Sequence, residues 1–410
     1  MPSAAAAAVD GDAALAQAWT AYSEAIAESY AAISATPRFG SDPQHRAAAH
    51  HVLLEAQAMA YNWAVAPRLD RPRAYVHTSW NTYLYTLGQN SPDNYYCCLF
   101  LDGTRTYRMT GRIGQVCLAA LQVFDRLLGH PESRSIGNYA LDDYAGPDGT
   151  FDVVLSATEH EGAWIKLSGD SRYHFLLLRR WMADWFEDPG TLDIEVVDTG
   201  EGGGDPPDLP MWERVAAAAD VVKYLTANWA VELYDFYLSR TEGARNALAL
   251  VPGESIDSSL AGNSFTNYAF GVFDLAPDEA LILELDPPPS VYWSFQLGDV
   301  WSKSLDPMYR QTDVNMRRAT VDADGKVRVV VAHRDPGVAN WLDTTGRREG
   351  SLVFRNYRSP VAVVPETRVT KAAALWDHLP ATTTTVTPEQ REAALENRRR
   401  GLLRLWGPIA

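Results

Sequence analysis

The chain has 410 residues, a formal net charge of −16 and a pI near 5.0. Its acidity disfavours nucleic-acid binding by a basic face, and also binding to anionic membranes. The length favours two or three domains. The N-terminus lacks the basic residues of a signal peptide, and no apolar run reaches the roughly 18 residues of a membrane span. The sequence therefore predicts a cytoplasmic protein.

Two amphipathic helices are the first predicted elements. Apolar residues from Leu15 to Ile33 recur at helical spacing, and the pair Asp42-Pro43 is typical of a second helix start. That helix is expected to run to about Ala66. Residues 1–74 are therefore predicted to form an N-terminal helical segment.

Turn signals and strand-like runs alternate in residues 75–198. NYYCCLFL and TRTYRMTG flank Asp102-Gly103, which predicts a hairpin, and FDVVLSAT is expected to pair with AWIKLS across a short turn. The run SRYHFLLLRRWMADWFED has helical spacing and predicts one inserted helix. This part is expected to be an α+β domain rich in antiparallel strands.

The second half of the chain predicts helix, then strands, then helix. A Gly- and Pro-rich linker at 199–210 precedes a central helical segment at 211–255. Short strands separated by turns predict a β-sandwich at 256–368. A capping box at Thr387 begins a helical tail within 369–410. The predicted fold class is α+β, and no internal repeat is evident.

Common cofactor and metal motifs are missing from the sequence. It has no Gly-x-Gly-x-x-Gly, phosphate-loop, His-Glu-x-x-His or Gly-x-Ser-x-Gly motif, and its three cysteines form no Cys-x-x-Cys. We therefore expect no cofactor, no tightly bound metal and a reducing compartment.

A sixteen-residue loop, DPGVANWLDTTGRREG at Asp335–Gly350, separates two predicted strands. A tight hairpin needs only about two to five residues, so this length indicates a functional or structural role. Burial of Trp341 and Leu342 would offset the cost of ordering the loop. We predict that the loop is ordered, that Trp341 is buried and that Asn340 binds backbone groups.

The segments around Ser91-Pro92-Asp93-Asn94, PDEALILELDPPPSVYWSFQLGDVWSKSLD and the Asp335–Gly350 loop together resemble the bacterial domain of unknown function DUF1214. The resemblance extends over roughly residues 75–360. It implies a C-terminal jelly-roll-like β-sandwich joined to an N-terminal α+β part. It implies no established catalytic residues.

Two functional hypotheses follow from the aromatic residues and the ionisable residues near them. The first is a cofactor-independent acid–base enzyme, a lyase, isomerase or hydrolase, acting on a bulky, mostly apolar small molecule. The alternative is a non-catalytic β-sandwich protein that binds a carbohydrate or small molecule. A third reading, a structural homo-oligomer, stays open. The candidate catalytic residues are His77, Tyr107, Arg108, Glu159 and His160. The candidate substrate-binding residues are Tyr96, Trp293, Trp301, Asn340 and Trp341.

Overall fold

The computed structural model describes residues 4–76, 80–81, 84–197, 208–256 and 262–406. The fold is α+β, as predicted. The helices are α1 Ala4–Ser34, α2 Pro37–Ser41, α3 Pro43–Ala60, α4 Met211–Tyr224, α5 Leu233–Arg240 and α6 Pro388–Trp406. π-Helical turns at Tyr61–Val65 and Leu225–Glu232 extend α3 and join α4 to α5.

Eight strands in the first half form two facing sheets. They are β1 Asn94–Leu101, β2 Tyr107–Arg112, β3 Leu118–Phe124, β4 Ser135–Ala140, β5 Thr150–Ser156, β6 Trp164–Lys166, β7 His174–Trp181 and β8 Thr191–Val196. One sheet has the order β1-β7-β3-β4 and the other β6-β5-β2-β8. Buried apolar side chains from both sheets pack in one cluster between them, so this half is itself a β-sandwich.

Nine further strands form the second sandwich. They are β9 Ala247–Pro252, β10 Thr266–Asp274, β11 Glu279–Leu285, β12 Tyr292–Gly298, β13 Asp313–Asn315, β14 Val327–Ala332, β15 Trp341–Asp343, β16 Glu349–Tyr357 and β17 Glu366–Lys371. The two sheets have the orders β13-β12-β16-β10-β9 and β15-β14-β11-β17. The predicted C-terminal sandwich is therefore confirmed, although its β9 comes from the end of the segment predicted as helix.

The helix predicted within SRYHFLLLRRWMADWFED is wrong, because His174–Trp181 forms the strand β7. All eight of its residues are buried, since β7 lies between β1 and β3 and is covered on both faces. A strand buried on both faces is a continuous apolar run without alternation, and such a run also fits helical spacing.

One predicted strand pairing is wrong, and a second is present with a different strand direction. Strands β1 and β2 were expected to form a hairpin across Asp102-Gly103, but β1 pairs with β7 and β2 pairs with β5 in the opposite sheet. Strands β5 and β6 do pair, but they are parallel. The connection from β1 to β2 therefore crosses between the two layers of the sandwich.

No internal repeat was evident in the sequence, but the sheet topology contains one. The order β1-β7-β3-β4 corresponds to β10-β16-β12-β13, and β6-β5-β2-β8 corresponds to β15-β14-β11-β17. Each sandwich also has one short strand, β6 or β15, that pairs in parallel with the strand before it in the chain, β5 or β14. The chain thus contains the same eight-strand sandwich twice.

The Asp335–Gly350 loop contains β15, and its predicted order and burial are confirmed. Trp341 is 7% exposed, and its Nε1 donates to the Ala332 carbonyl at 3.0 Å. In the first sandwich the Trp164 Nε1 donates to the corresponding carbonyl of Ser156 at 3.2 Å. The tryptophan therefore anchors the short parallel strand in both repeats.

Asn340 binds backbone groups, as predicted. Its Oδ1 accepts from the Thr320 N–H at 2.8 Å, and its Nδ2 donates to the carbonyls of Thr320 and Arg328. The long loop thus has a structural explanation, because it carries a strand and closes the edge of the sheet.

Candidate functional site

A cavity of about 90 Å³ lies between strands β1 and β7 of the first sandwich and strands β10 and β16 of the second. Helix α5 and the segment before β1 complete its wall. The lining residues are mainly aromatic or amide side chains and two arginines: Trp80, Gly88, Gln89, Asn90, Tyr96, Leu177, Arg179, Trp181, Trp229, Leu233, Phe236, Tyr237, Ile256, Gly262, Tyr268, Phe270, Arg355 and Tyr357.

The two repeats contribute corresponding residues to this cavity. Tyr96 on β1 lies opposite Arg179 on β7, and Tyr268 on β10 lies opposite Arg355 on β16. All four side chains line the cavity. The cavity therefore receives one tyrosine–arginine pair from each sandwich.

Each arginine is oriented by a glutamine on the neighbouring strand. The Arg179 Nη1 donates to the Gln122 Oε1 at 2.8 Å, and the Arg355 Nη1 donates to the Gln296 Oε1 at 2.6 Å. Both arginines are 7% exposed. Because a guanidinium group is planar, these bonds restrict the direction in which its remaining N–H groups point.

The same two glutamines, Gln122 and Gln296, also connect the two sandwiches, because each binds a loop of the other half of the chain. The Gln122 Nε2 donates to the Gly262 carbonyl, just before β10, at 3.1 Å. The Gln296 Nε2 donates to the Asn90 carbonyl, just before β1, at 2.7 Å. Each repeat thus holds the loop that begins the other, which gives the cavity an approximate two-fold arrangement.

Among the described residues, Arg355 has only neutral hydrogen-bond partners. Besides the bond to Gln296, its Nη2 donates to the Gln89 carbonyl at 2.7 Å. A guanidinium group has five N–H bonds, so donors remain for a further partner. Among the described residues lining the cavity there is no Asp, Glu, His or Lys. A buried cation without a carboxylate is costly, and an anionic ligand would remove that cost.

Two tyrosines of the cavity, Tyr96 and Tyr237, are neutral hydrogen-bonding groups. Burial raises the pKa of Tyr96 and of Tyr237, and the nearby Arg355 only partly opposes this effect. The Tyr96 hydroxyl accepts from the Ser91 N–H at 2.9 Å, and the Tyr237 hydroxyl donates to the Gln89 Oε1 at 3.3 Å. At neutral pH they therefore stay protonated and cannot act as strong bases.

Gln89 is held in an unusual backbone conformation at the cavity wall. Its φ is +51°, and that of Gly88 is +82°. A Cβ on Gly88 would lie 2.7 Å from the Trp229 ring, so only glycine fits there. The Gln89 side chain is buried, and its Nε2 has no partner among the described residues. It is a second donor available to a ligand.

A buried carboxylate on α3 fixes the segment that carries Gln89. Glu55 accepts hydrogen bonds from the N–H groups of Thr86 and Leu87 and forms an ion pair with Lys303. The Lys303 Nζ also lies 2.7 Å from the His51 Nδ1. This cluster connects α3, the cavity wall and the second sandwich.

Glu55 should make the stability of the protein depend on pH. Burial would raise the pKa of Glu55, but hydrogen bonds from His51 and Lys303 and the Lys303 charge outweigh it and lower the pKa below its usual 4.5. Its stabilising contribution is then present above about pH 4.5 and is lost as the pH falls through the folded-state pKa. In Glu55→Gln, we expect a lower free energy of unfolding at pH 7 and a weaker decline on acidification, measured by urea denaturation. The exposed Glu159→Gln is the matched control, and identical acid profiles for the wild type and Glu55→Gln would contradict this prediction.

Tyr96 is the one predicted site residue that lines the cavity within the described ranges. Trp293 lies in the core of the second sandwich, and the Trp301 Nε1 donates to the His45 carbonyl at 2.8 Å. Asn340 and Trp341 form the β14–β15 edge described above.

The predicted catalytic residues are not brought to the cavity. Tyr107 is buried in the first sandwich, where its hydroxyl accepts from the Asp102 N–H at 2.9 Å. Arg108 points outward and pairs with Asp152 at 2.6 Å. Glu159 and His160 are exposed in the turn after β5. His77 lies outside the described residues. The catalytic assignments stay predictions.

The sequence reasoning missed both arginines of the cavity. Arg179 was assigned to a helix, and Arg355 lies within the predicted β-sandwich at 256–368 but was not singled out. A repeat alignment would have found them, because Tyr, Gln and Arg recur at corresponding strand positions: Tyr96 and Tyr268, Gln122 and Gln296, Arg179 and Arg355. The recurrence of these three residue types at corresponding positions is the signal in the sequence that points to the cavity.

Metal-binding and membrane-spanning features were sought in the same ranges. No group of three or more His, Cys, Asp or Glu side chains there could hold a metal ion. None of the described helices combines the length and the apolar character needed to cross a membrane.

The fold and the cavity define an α+β protein with two repeated β-sandwiches and a cationic cavity between them. Residues 275–361 match the family described as "Protein of unknown function (DUF1214)", so the second sandwich contains this bacterial domain. The resemblance seen in the sequence is thus confirmed, but the match does not include the segment around Asp93.

Two solved structures are similar to the chain. An uncharacterised protein from Burkholderia cenocepacia is 29% identical with a TM-score of 0.77, over 89% of this chain and 99% of that one. The VPA0106 protein from Vibrio parahaemolyticus is 12% identical with a TM-score of 0.45, over 78% of this chain and 100% of that one. No curated protein matches the chain significantly.

Proposed function

We propose that the chain binds a small organic carboxylate in the cavity between the two sandwiches. The observation that supports this most directly is Arg355, which is buried, lines the cavity and has only neutral hydrogen-bond partners in the part of the chain that the structure describes. A carboxylate accepts two parallel N–H bonds from a guanidinium group, and such charge-assisted bonds are the strong ones. The free Gln89 Nε2 is a further donor for the same ligand.

The ligand is small and has an apolar body. The cavity volume is about 90 Å³. A water-sized group needs roughly 10–15 Å³ of such space, so the cavity suits a ligand of about six to nine non-hydrogen atoms. Trp80, Trp229 and Phe270 supply apolar walls. The substrate expected from the sequence was bulky, and the cavity favours a smaller one.

Binding is better supported than acid–base catalysis. The described lining contains no His, Asp, Glu or Lys, and the raised pKa values of Tyr96 and Tyr237 make their hydroxyls poor bases. The non-catalytic alternative drawn from the sequence is therefore our proposal, with a carboxylate in place of a carbohydrate. We also propose a cytoplasmic location, because the described structure leaves all three cysteines as free thiols.

Isothermal titration calorimetry of the purified chain tests the proposal. We expect valerate to bind and its neutral amide, valeramide, not to bind. Arg355→Met should weaken valerate binding by about 10- to 150-fold, since a hydrogen bond to a charged group contributes about 1.5–3 kcal/mol. Methionine is similar in length to arginine, so it fills the space that the arginine side chain occupied.

The matched control is Arg108→Met, which removes an exposed arginine far from the cavity lining. It should leave valerate affinity unchanged. Equal binding of valerate and valeramide, or equal affinity in the wild type and Arg355→Met, would contradict the proposal.

A further inference from the structure

We infer that the ligand of this cavity is an oxocarboxylate, whose ketone oxygen accepts a hydrogen bond from the Trp181 Nε1 while its carboxylate binds Arg355. The inference rests on the proposed function and adds a second polar group to the ligand. Its basis is the Trp181 indole, which is 2% exposed and lines the cavity. Its Nε1 has no hydrogen-bond partner in the part of the chain that the structure describes.

The packing around Trp181 shows why the protein leaves this N–H group unpaired. The ring packs against Tyr292 and Tyr357, with centroids 5.1 and 4.4 Å away, and belongs to a buried cluster that includes Leu118. The Tyr292 hydroxyl is engaged elsewhere, because it donates to the Asp93 Oδ2 at 2.6 Å. A buried indole N–H without an acceptor costs free energy. A ligand in the cavity would supply the missing acceptor.

Two unpartnered donors of the described lining, the Gln89 Nε2 and the Trp181 Nε1, lie beside different parts of the ligand. The Gln89 carbonyl accepts from the Arg355 Nη2 at 2.7 Å, so the Gln89 side chain belongs to the carboxylate subsite. Trp181 lies instead against Tyr357, two residues after Arg355 on β16. Two residues of a strand share one face and span about 7 Å. The acceptor for Trp181 is therefore several bonds away from the carboxylate.

The chemistry of an indole favours a ketone oxygen as this acceptor. The indole nitrogen only donates, so its partner must accept. A ketone oxygen has no hydrogen of its own, whereas a hydroxyl hydrogen would need an acceptor in turn, and the described lining has no carboxylate. 4-Oxopentanoate has about eight non-hydrogen atoms, which is within the range that the cavity volume allows, and its ketone is separated from its carboxylate.

Calorimetric titration of the wild-type chain with 4-oxopentanoate and 4-methylpentanoate tests this inference. The second ligand carries a methyl group in place of the ketone oxygen and is otherwise matched in size and charge. We expect 4-oxopentanoate to bind at least about fivefold more tightly, because the methyl group leaves the buried Trp181 N–H unpaired. 2-Oxopentanoate, whose ketone is next to the carboxylate, should bind more weakly than 4-oxopentanoate.

Trp181→Phe removes the N–H group and keeps an aromatic ring at this position. In this variant the preference for 4-oxopentanoate over 4-methylpentanoate should disappear. The matched control is Trp185→Phe, because the Trp185 Nε1 is also buried without a partner among the described residues but Trp185 does not line the cavity. The control should keep the preference of the wild type, and thermal melting checks that both variants are folded.

The outcomes separate this inference from the proposed function. If 4-methylpentanoate binds the wild type as tightly as 4-oxopentanoate, or if 2-oxopentanoate binds more tightly than both, the inference fails. It also fails if a folded Trp181→Phe variant keeps the preference. In each of these cases, binding of valerate that depends on Arg355 leaves the proposed function standing. If none of these carboxylates binds, both fail, and this comparison does not depend on the folding of any variant.

Discussion

Replacing Asp93 by alanine should lower the free energy of unfolding by about 3–5 kcal/mol, the usual cost of removing one partner from a buried ion pair. Asp93 is 1% exposed and lies just before β1. Its carboxylate accepts from the Tyr292 hydroxyl at 2.6 Å and from the Asn315 Nδ2 at 2.9 Å, and it lies 2.9 Å from the Arg318 Nη1. The loss would leave the buried Tyr292 and Asn315 and the partly buried Arg318 without their common acceptor.

The effect is large because Asp93 belongs to a network that joins three parts of the chain. Arg318 also pairs with Asp313, and Asp313 pairs with Arg398 on α6. Arg318 and Arg398 both lie over the Trp185 ring, at 4.0 and 4.9 Å from its centroid. Removal of Asp93 leaves the partly buried Arg318 and the buried Arg398 with one carboxylate, that of Asp313, between them.

Urea denaturation of Asp93→Ala measures this cost. The matched control is Asp152→Ala, which removes an aspartate that also binds an arginine through two oxygens but on the exposed face of β5. Exposed pairs contribute little, so the control should be nearly as stable as the wild type. Similar unfolding midpoints for the two variants would mean that the network does not stabilise the fold.

Trp341→Ala should also cost about 3–5 kcal/mol, as large-to-small substitutions of buried aromatic residues do. The ring is buried in a cluster with Val330, Val338 and Leu375, and its Nε1 bond to the Ala332 carbonyl would be lost. We expect a lower thermal midpoint and unchanged affinity for carboxylates, because Trp341 does not line the cavity.

The control for this substitution is Trp376→Ala, since Trp376 is 45% exposed and should change stability much less. A Trp341→Ala variant that melts like the wild type but loses ligand binding would assign the loop to the binding site and contradict its structural role.

Much of the fold could be predicted from local patterns. The α3 start at Asp42-Pro43 and the strands β11 and β12 follow from capping and strand signals, and each is present. Strand β7 could not be predicted in this way, because its burial on both faces depends on β1 and β3, which are distant in sequence. The repeat was not evident in the sequence because corresponding core positions of the two sandwiches carry different apolar residues.

The candidate site was less predictable than the fold. Arg179 and Arg355 are far apart in the chain and come together only because two similar sheets face each other. The sequence did single out Asp93, within Ser91-Pro92-Asp93-Asn94, as part of the resemblance to DUF1214. It could not indicate that Tyr292, Asn315 and Arg318 would converge on that carboxylate.

A crystal structure of the chain grown with valerate would test the central claim most directly. We predict one ligand in the cavity between the sandwiches, with carboxylate oxygens about 2.7–2.9 Å from guanidinium nitrogens of Arg355. Valerate bound elsewhere on the chain, or a cavity that holds only water at saturating valerate, would contradict the account.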